Sequence, residues 1–125
     1  MNALIEAHWR DAGVVPAAEV DDAAFLRRAS LDLLGRIPTL TELDAMAADR
    51  DPSRRAHAVD RMLASEEHAD HLATQTTDLL LGRALQVPPP VRDGTREWLR
   101  EQFAAEAGWD DITRALLVAD GEQPT

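Results

Sequence analysis

The clearest hydrophobic pattern lies between Asp21 and Thr41, where the chain reads D-D-A-A-F-L-R-R-A-S-L-D-L-L-G-R-I-P-T-L-T. On a helix, the apolar side chains of this stretch fill about half of the circumference; they are Phe25, Leu26, Ala29, Leu33 and Leu34. An apolar face of this width predicts a central helix with neighbours on two sides. Asp21 or Asp22 can cap its start, Gly35 suits a left-handed residue at its end, and Pro38 prevents it from continuing.

The rest of the chain repeats the helical periodicity and predicts an all-α fold, a compact domain of about six or seven short helices. The other predicted helices lie at residues 3–12, after Thr39, after Asp51, from Ser65 to about Leu85, from about Thr95 to Ala107 and after Asp110. Residues 1–125 are expected to form one domain. The prolines Pro88–Pro90 are expected to form a stiff polyproline spacer, which is the preferred internal boundary.

Composition excludes several classes of function. The formal net charge of −10 argues against a nucleic-acid partner, because a phosphate polymer requires a basic surface. The absence of cysteine excludes disulfides, thiolate zinc sites and covalent C-x-x-C-H haem attachment, and no cofactor is predicted. No segment has the length and purity of a membrane span, and Met1–Val15 lacks the features of a signal peptide. The cellular location stays open on this evidence.

One polar cluster resembles a metal site. Glu67, His68, Asp70 and His71 lie within one predicted helix, and a three-residue step brings the two imidazoles near enough to share an ion. A zincin motif would instead need histidines four residues apart with a glutamate between them. The preferred interpretation is therefore a polar first turn that faces water. No catalytic residue is predicted.

The tryptophans are candidates for contact with a partner. Trp98 is expected in the core, beside Leu99 and Phe103. Trp109 lies between two predicted helices, where it either plugs their junction or forms a partly exposed contact. Trp9 lies on the apolar side of the first helix and is the other candidate for an interaction.

Several stretches together resemble one family: F-L-R-R-A-S-L-D-L-L-G-R-I-P-T, E-L-D-A-M-A-A-D, A-V-D-R-M-L-A-S, W-L-R-E-Q-F and W-D-D-I-T-R-A-L-L. They are similar to the planctomycete cytochrome-associated domain of unknown function (PSCyt type). The resemblance implies an exported or cell-envelope setting, with neighbouring modules that carry redox cofactors, and it supplies no catalytic residues. The chain departs from the family where Leu72 and Thr76 replace tryptophans and Gln75 replaces a histidine. The family domain continues beyond Thr125, so a cut or shortened form of it is expected.

These observations predict a non-catalytic helical module for protein interaction or scaffolding. Its partner would be another protein or another domain of a larger polypeptide, and the oligomeric state stays open. The alternatives are a metal-binding or enzymatic domain that uses His68 and His71, and a passive spacer.

The family-like stretch is given a structural role, in which Arg27, Arg28, Asp32 and Arg36 fasten the central helix to the loops around it. At least one of Arg27 and Arg28 is expected to be largely buried and bonded to an acid or to carbonyls outside its own helix, with Asp32 and Asp60 as the expected acids. The other arginines of the middle of the chain, Arg54, Arg55 and Arg61, are expected to be solvated.

Overall fold

A computed structural model describes residues 2–82 and 87–119 of the chain. Within these residues the chain forms seven α-helices and no β-strand, which confirms the predicted all-α fold. In chain order they are α1 (Asn2–Asp11), α2 (Asp22–Leu34), α3 (Leu40–Ala48), α4 (Arg54–Leu63), α5 (Glu66–Leu81), α6 (Pro89–Ala104) and α7 (Trp109–Val118). None of these described helices combines the length and the apolar composition that crossing a membrane requires.

The central helix is α2, as its broad apolar face predicted. It packs against α3, α4 and α5, and its side chains Leu26 and Leu34 are buried. The Asp21 carboxylate caps its start by accepting a hydrogen bond from the backbone N–H of Ala24 at 2.7 Å. Gly35 ends it in the left-handed conformation, with a φ of 69°. Both predicted ends of this helix are confirmed.

The first core cluster fills the space between α2, α3 and α4. Its buried members are Leu26, Leu34, Met46, Ala58 and Met62. Four further apolar side chains are partly buried against it: Phe25, Ala29, Leu33 and Leu43. Leu33 therefore contributes to this core from its edge, while Leu26 and Leu34 occupy the centre.

The second core cluster joins α5, α6 and α7 through Ala73, Leu99 and Ile112, each no more than 1% exposed. Within the described residues, α5 and α6 form the most extensive contact between helices. Two ion pairs cross this contact, from Arg92 to Asp78 at 2.8 Å and from Arg96 to Asp70 at 2.7 Å. The small side chain of Ala73 lets the two backbones approach closely enough for Leu99 to be fully enclosed.

The predicted polyproline spacer at Pro88–Pro90 is wrong. Pro88 is the N-cap of α6, and Pro89 and Pro90 are its first helical residues. Proline is accepted there because the first helical N–H groups have no partner within the helix. The helix therefore begins well before the predicted start near Thr95. Before it, α5 ends at Leu81, and the predicted extension to Leu85 lies outside the described residues.

Candidate functional site

An open groove of about 310 Å³ lies between α3 and α4, and buried apolar side chains of α2, α3 and α4 form its floor. The residues that line it are Leu26 and Leu34 from α2, Thr41, Glu42, Ala45 and Met46 from α3, and Ala58, Arg61 and Met62 from α4, with Arg36, Ser65 and Glu67 in addition. We call this the α3–α4 groove. Its floor consists of members of the first core cluster, so the groove lies directly over the hydrophobic core.

An ion cluster centred on Arg36 lies against the groove and ties three helices together. The Nη2 atom of Arg36 lies 3.0 Å from a carboxylate oxygen of Glu42, at the start of α3. The same atom lies 2.7 Å from a carboxylate oxygen of Glu67, at the start of α5. Because Arg36 follows the last turn of α2, these bonds hold the end of the central helix against two helix starts. This role was predicted for Arg36, although its two acids were not identified.

Glu42 also belongs to the capping box that starts α3. Its carboxylate accepts hydrogen bonds from the backbone N–H of Thr39 at 2.7 Å and from the Thr39 hydroxyl at 3.0 Å. The hydrogen bonds from Arg36, followed by those from Thr39, lower the pKa of Glu42 from 4.5 to about 2. The two carboxylates in turn raise the pKa of Arg36, so the guanidinium stays charged at all accessible pH values.

A second ion cluster, around Asp22, joins the start of α2 to α4. The Asp22 carboxylate accepts hydrogen bonds from Arg54 and Arg55, each at 2.7 Å, and these bonds lower the pKa of Asp22. Arg55 also donates to the backbone carbonyl of Val20 at 2.8 Å, and its guanidinium lies 5.0 Å from the centre of the Phe25 ring. The prediction that Arg54 and Arg55 are solvated is therefore wrong.

The prediction that Arg27 or Arg28 is buried and bonded is also wrong. Both side chains are exposed, and within the described residues neither guanidinium forms a hydrogen bond or an ion pair. The expected acids, Asp32 and Asp60, are exposed as well and have no arginine partner among the described residues. The reason is geometric: α2 turns its apolar face towards three neighbours, which leaves Arg27, Arg28 and Asp32 on the opposite side.

The four residues of the metal-like cluster contact four different partners. Nδ1 of His68 lies 2.8 Å from the Leu33 carbonyl oxygen, and Nε2 of His71 lies 2.7 Å from the Gln75 amide nitrogen. Glu67 is bonded to Arg36, and Asp70 to Arg96. Across the part of the chain that the structure describes, no three metal-binding side chains come together. Three of these contacts join α5 to other parts of the fold, and the contact between His71 and Gln75 lies within α5.

The tryptophans contribute unequally to the packing. Trp98 is partly buried against the second core cluster, near its expected place. Trp109 is 60% exposed and its ring meets Phe103 edge-on, with 5.4 Å between the ring centres. The ring therefore packs at the junction of α6 and α7 while most of it faces solvent, and its contact with a partner stays a prediction. Trp9 in α1 is 36% exposed.

The described residues form an all-α module of seven helices. It has an ion cluster at each end of the central helix α2 and an open groove between α3 and α4. The chain belongs to the PSCyt2 family, described as a protein of unknown function (DUF1549), whose family model matches residues 1–125. The resemblance to the PSCyt type is thereby confirmed. No curated protein and no solved structure matches the chain.

Proposed function

We propose that the chain is a non-catalytic interaction module whose α3–α4 groove receives the apolar side chains of a helix. That helix belongs to a protein partner or to another domain of the same polypeptide. The observation that supports this proposal is the floor of the groove, where buried core residues of three helices meet an opening to solvent. The family resemblance, which implies large exported polypeptides, fits a partner of this kind.

The volume of the groove suits a few apolar side chains from one face of a helix. Its volume of about 310 Å³ falls at the lower end of the range for specific binding pockets. An amphipathic helix that lies in such a groove presents apolar side chains at three- and four-residue spacing. Burial of two leucine side chains would contribute about 3–6 kcal/mol before the entropic cost of association is subtracted. Because this gain is no larger than the entropic cost of association, we expect a weak and reversible contact.

The alternative function is less well supported by the geometry. Metal binding could use the second ring nitrogens, Nε2 of His68 and Nδ1 of His71, without breaking either hydrogen bond. The acids of the cluster, however, are paired with arginines, Glu67 with Arg36 and Asp70 with Arg96. Within the described residues no three metal-binding side chains come together, so a metal site would require a rearrangement that the open groove does not need.

The proposal can be tested by filling the groove from a position that tolerates a larger side chain. Ala45 is exposed and lines the groove, while Ala47, on the same helix, is also exposed but does not line it. Ala45→Trp should block the groove, and Ala47→Trp is the matched control. The probe is a fluorescein-labelled helical peptide with leucines at positions i, i+3 and i+7, and a scrambled version of the same composition.

Fluorescence anisotropy should show that the wild-type protein and Ala47→Trp bind the leucine-faced peptide better than the scrambled one. Ala45→Trp should weaken that binding at least about tenfold, which corresponds to about 1.4 kcal/mol. Circular dichroism should show that both variants remain folded. Equal binding by the two variants, or no binding of the leucine-faced peptide to the wild-type protein, would refute the proposal and favour a passive spacer.

A further inference from the structure

We infer that the α3–α4 groove selects a partner helix with a carboxylate beside its apolar face, and that Arg61 recognises this carboxylate. This inference rests on the proposed function, because it concerns the chemistry of the helix that the groove receives. It is based on the hydrogen bonds and ion pairs of the two guanidiniums that line the groove, those of Arg36 and Arg61.

The first of these guanidiniums, that of Arg36, is already fully engaged. Its Nε atom donates to Glu67, its Nη1 atom to the Ile37 carbonyl and to Glu42, and its Nη2 atom to both glutamates. A ligand carboxylate would have to displace one of these partners and would also meet the negative charge of the glutamates. The Arg36 end of the groove therefore does not attract an acid.

The second guanidinium, that of Arg61, is free among the described residues. Arg61 is exposed, lines the groove, and forms no hydrogen bond or ion pair within the part of the chain that the structure describes. It lies on α4 between two buried residues of the groove floor, Ala58 and Met62. A guanidinium offers five N–H donors in a planar fork that matches a carboxylate.

The charged groups that line the groove differ in sign. Arg36 together with Glu42 and Glu67 carries a net charge of −1, whereas Arg61 on the α4 wall carries +1 without a partner. A helix with an acidic residue on the side of α4 would place that residue against Arg61 and keep it away from the glutamates. The apolar side chains of the same helix would then lie over Leu26, Leu34 and Met46. The groove thus favours a helix with an acidic residue beside its apolar face.

The test compares two helical peptides that differ only in whether their flanking side chains end in carboxylates or in amides. Both carry the leucine face described above; one has glutamate at the flanking positions and the other has glutamine. The variants are Arg61→Gln and the control Arg114→Gln, which removes the same charge from an exposed arginine on α7 that has no partner among the described residues. Melting followed by circular dichroism checks that each variant is folded.

The wild-type protein should bind the glutamate peptide about three- to tenfold more tightly than the glutamine peptide, as expected for a partly shielded ion pair. Arg61→Gln should remove this preference, so that the two peptides bind with equal affinity, while Arg114→Gln should retain the preference. Sodium chloride at about 1 M should also reduce it, because salt screens exposed charges.

The possible results separate the inference from the proposed function. Equal binding of the two peptides by the wild-type protein would overturn the role of Arg61 and leave the groove as an apolar docking site. A preference that persists in Arg61→Gln would likewise overturn it. Binding of neither peptide would refute the proposed function itself, and the inference would fall with it.

Discussion

The contribution of the Arg36 cluster to stability can be measured through Glu42. The perturbation is Glu42→Gln, which keeps the size of the side chain and its ability to cap α3, because glutamine also forms capping boxes. The substitution removes the negative charge that Arg36 binds at 3.0 Å. The expected loss of stability is therefore mainly the loss of the ion pair between the end of α2 and the start of α3.

The magnitude follows from the pKa of Glu42. The difference between the ordinary value of 4.5 and about 2 corresponds to about 3 kcal/mol. This figure is a ceiling, because the side chains of Arg36 and Glu42 are 34% and 35% exposed and solvent screens their attraction. After that screening we expect Glu42→Gln to lower the free energy of unfolding by about 1 kcal/mol at pH 7.

The assay is urea unfolding of the wild-type protein and the variant between pH 7 and pH 2.5. The pKa of Glu42 is lowered in the folded protein, so its contribution is present above the ordinary pKa of 4.5 and is lost as the pH falls towards about 2. The difference between the two proteins should accordingly be constant above about pH 5 and shrink below it. Glu101→Gln is the control, since Glu101 is exposed and no hydrogen bond of its side chain is described.

Two results would refute the reasoning. The first is a difference between wild type and Glu42→Gln that stays below about 0.3 kcal/mol at pH 7, as for an ordinary surface substitution. The second is a difference that does not change between pH 5 and pH 2.5, which would show that the charge of Glu42 is not the source of the effect.

Three further substitutions test the packing and the second ion cluster. Gly35→Ala should lower the free energy of unfolding by more than about 1–2 kcal/mol, the cost of the left-handed backbone alone, because the new methyl group would lie 2.3 Å from a ring atom of His71. Gly13 is also left-handed but has no neighbouring atom within 4 Å of the position of an added methyl group, so Gly13→Ala should show the backbone cost only. An equal cost at both sites would contradict the clash with His71. Leu99→Ala, at a fully buried site, should cost about 2–5 kcal/mol in urea unfolding, and a loss below about 1 kcal/mol would show that the second core cluster is misplaced. Asp22→Asn should lower the urea midpoint of unfolding at pH 7, since hydrogen bonds from Arg54 and Arg55 lower the pKa of Asp22. The difference in midpoint between the variant and the wild-type protein should disappear in acid. A difference that is unchanged in acid would exclude the ion pairs as its cause.

The helices could be predicted from the sequence because their signals are local. The cap at Asp21, the left-handed Gly35 and the capping box of Thr39 each depend on residues within one helical turn, and the structure contains all three. The start of α6 was predicted too late because three consecutive prolines also fit an extended spacer. Contact with α5 stabilises the helical form of this stretch. Contacts between helices do not produce a periodic pattern in the sequence.

The ion clusters could not be predicted, because their partners are far apart in the chain. Asp22 lies 32 and 33 residues from its two arginines, and Arg36 lies 31 residues from Glu67. Local spacing shows only pairs such as Arg28 and Asp32, four residues apart, which are worth a few tenths of a kcal/mol in water. Bonds that join two helices compete successfully with such pairs, because helix packing holds their partners close together. The groove escaped prediction for the same reason, since it depends on how three helices pack.

Of the four residues expected to fasten α2, only Arg36 forms such bonds, and this difference leads to a last prediction. Arg27, Arg28 and Asp32 belong to the family-like stretch, yet they are exposed and have no ion-pair partner among the described residues. Arg27→Gln and Arg28→Gln should therefore each change the free energy of unfolding by less than about 0.5 kcal/mol, whereas Arg36→Gln should cost more than about 1 kcal/mol. A large loss from either of the first two would show that the outer face of α2 is covered within the folded chain. Small losses would mean that folding of this chain does not account for the two arginines, and that contact with a partner is the better explanation for them.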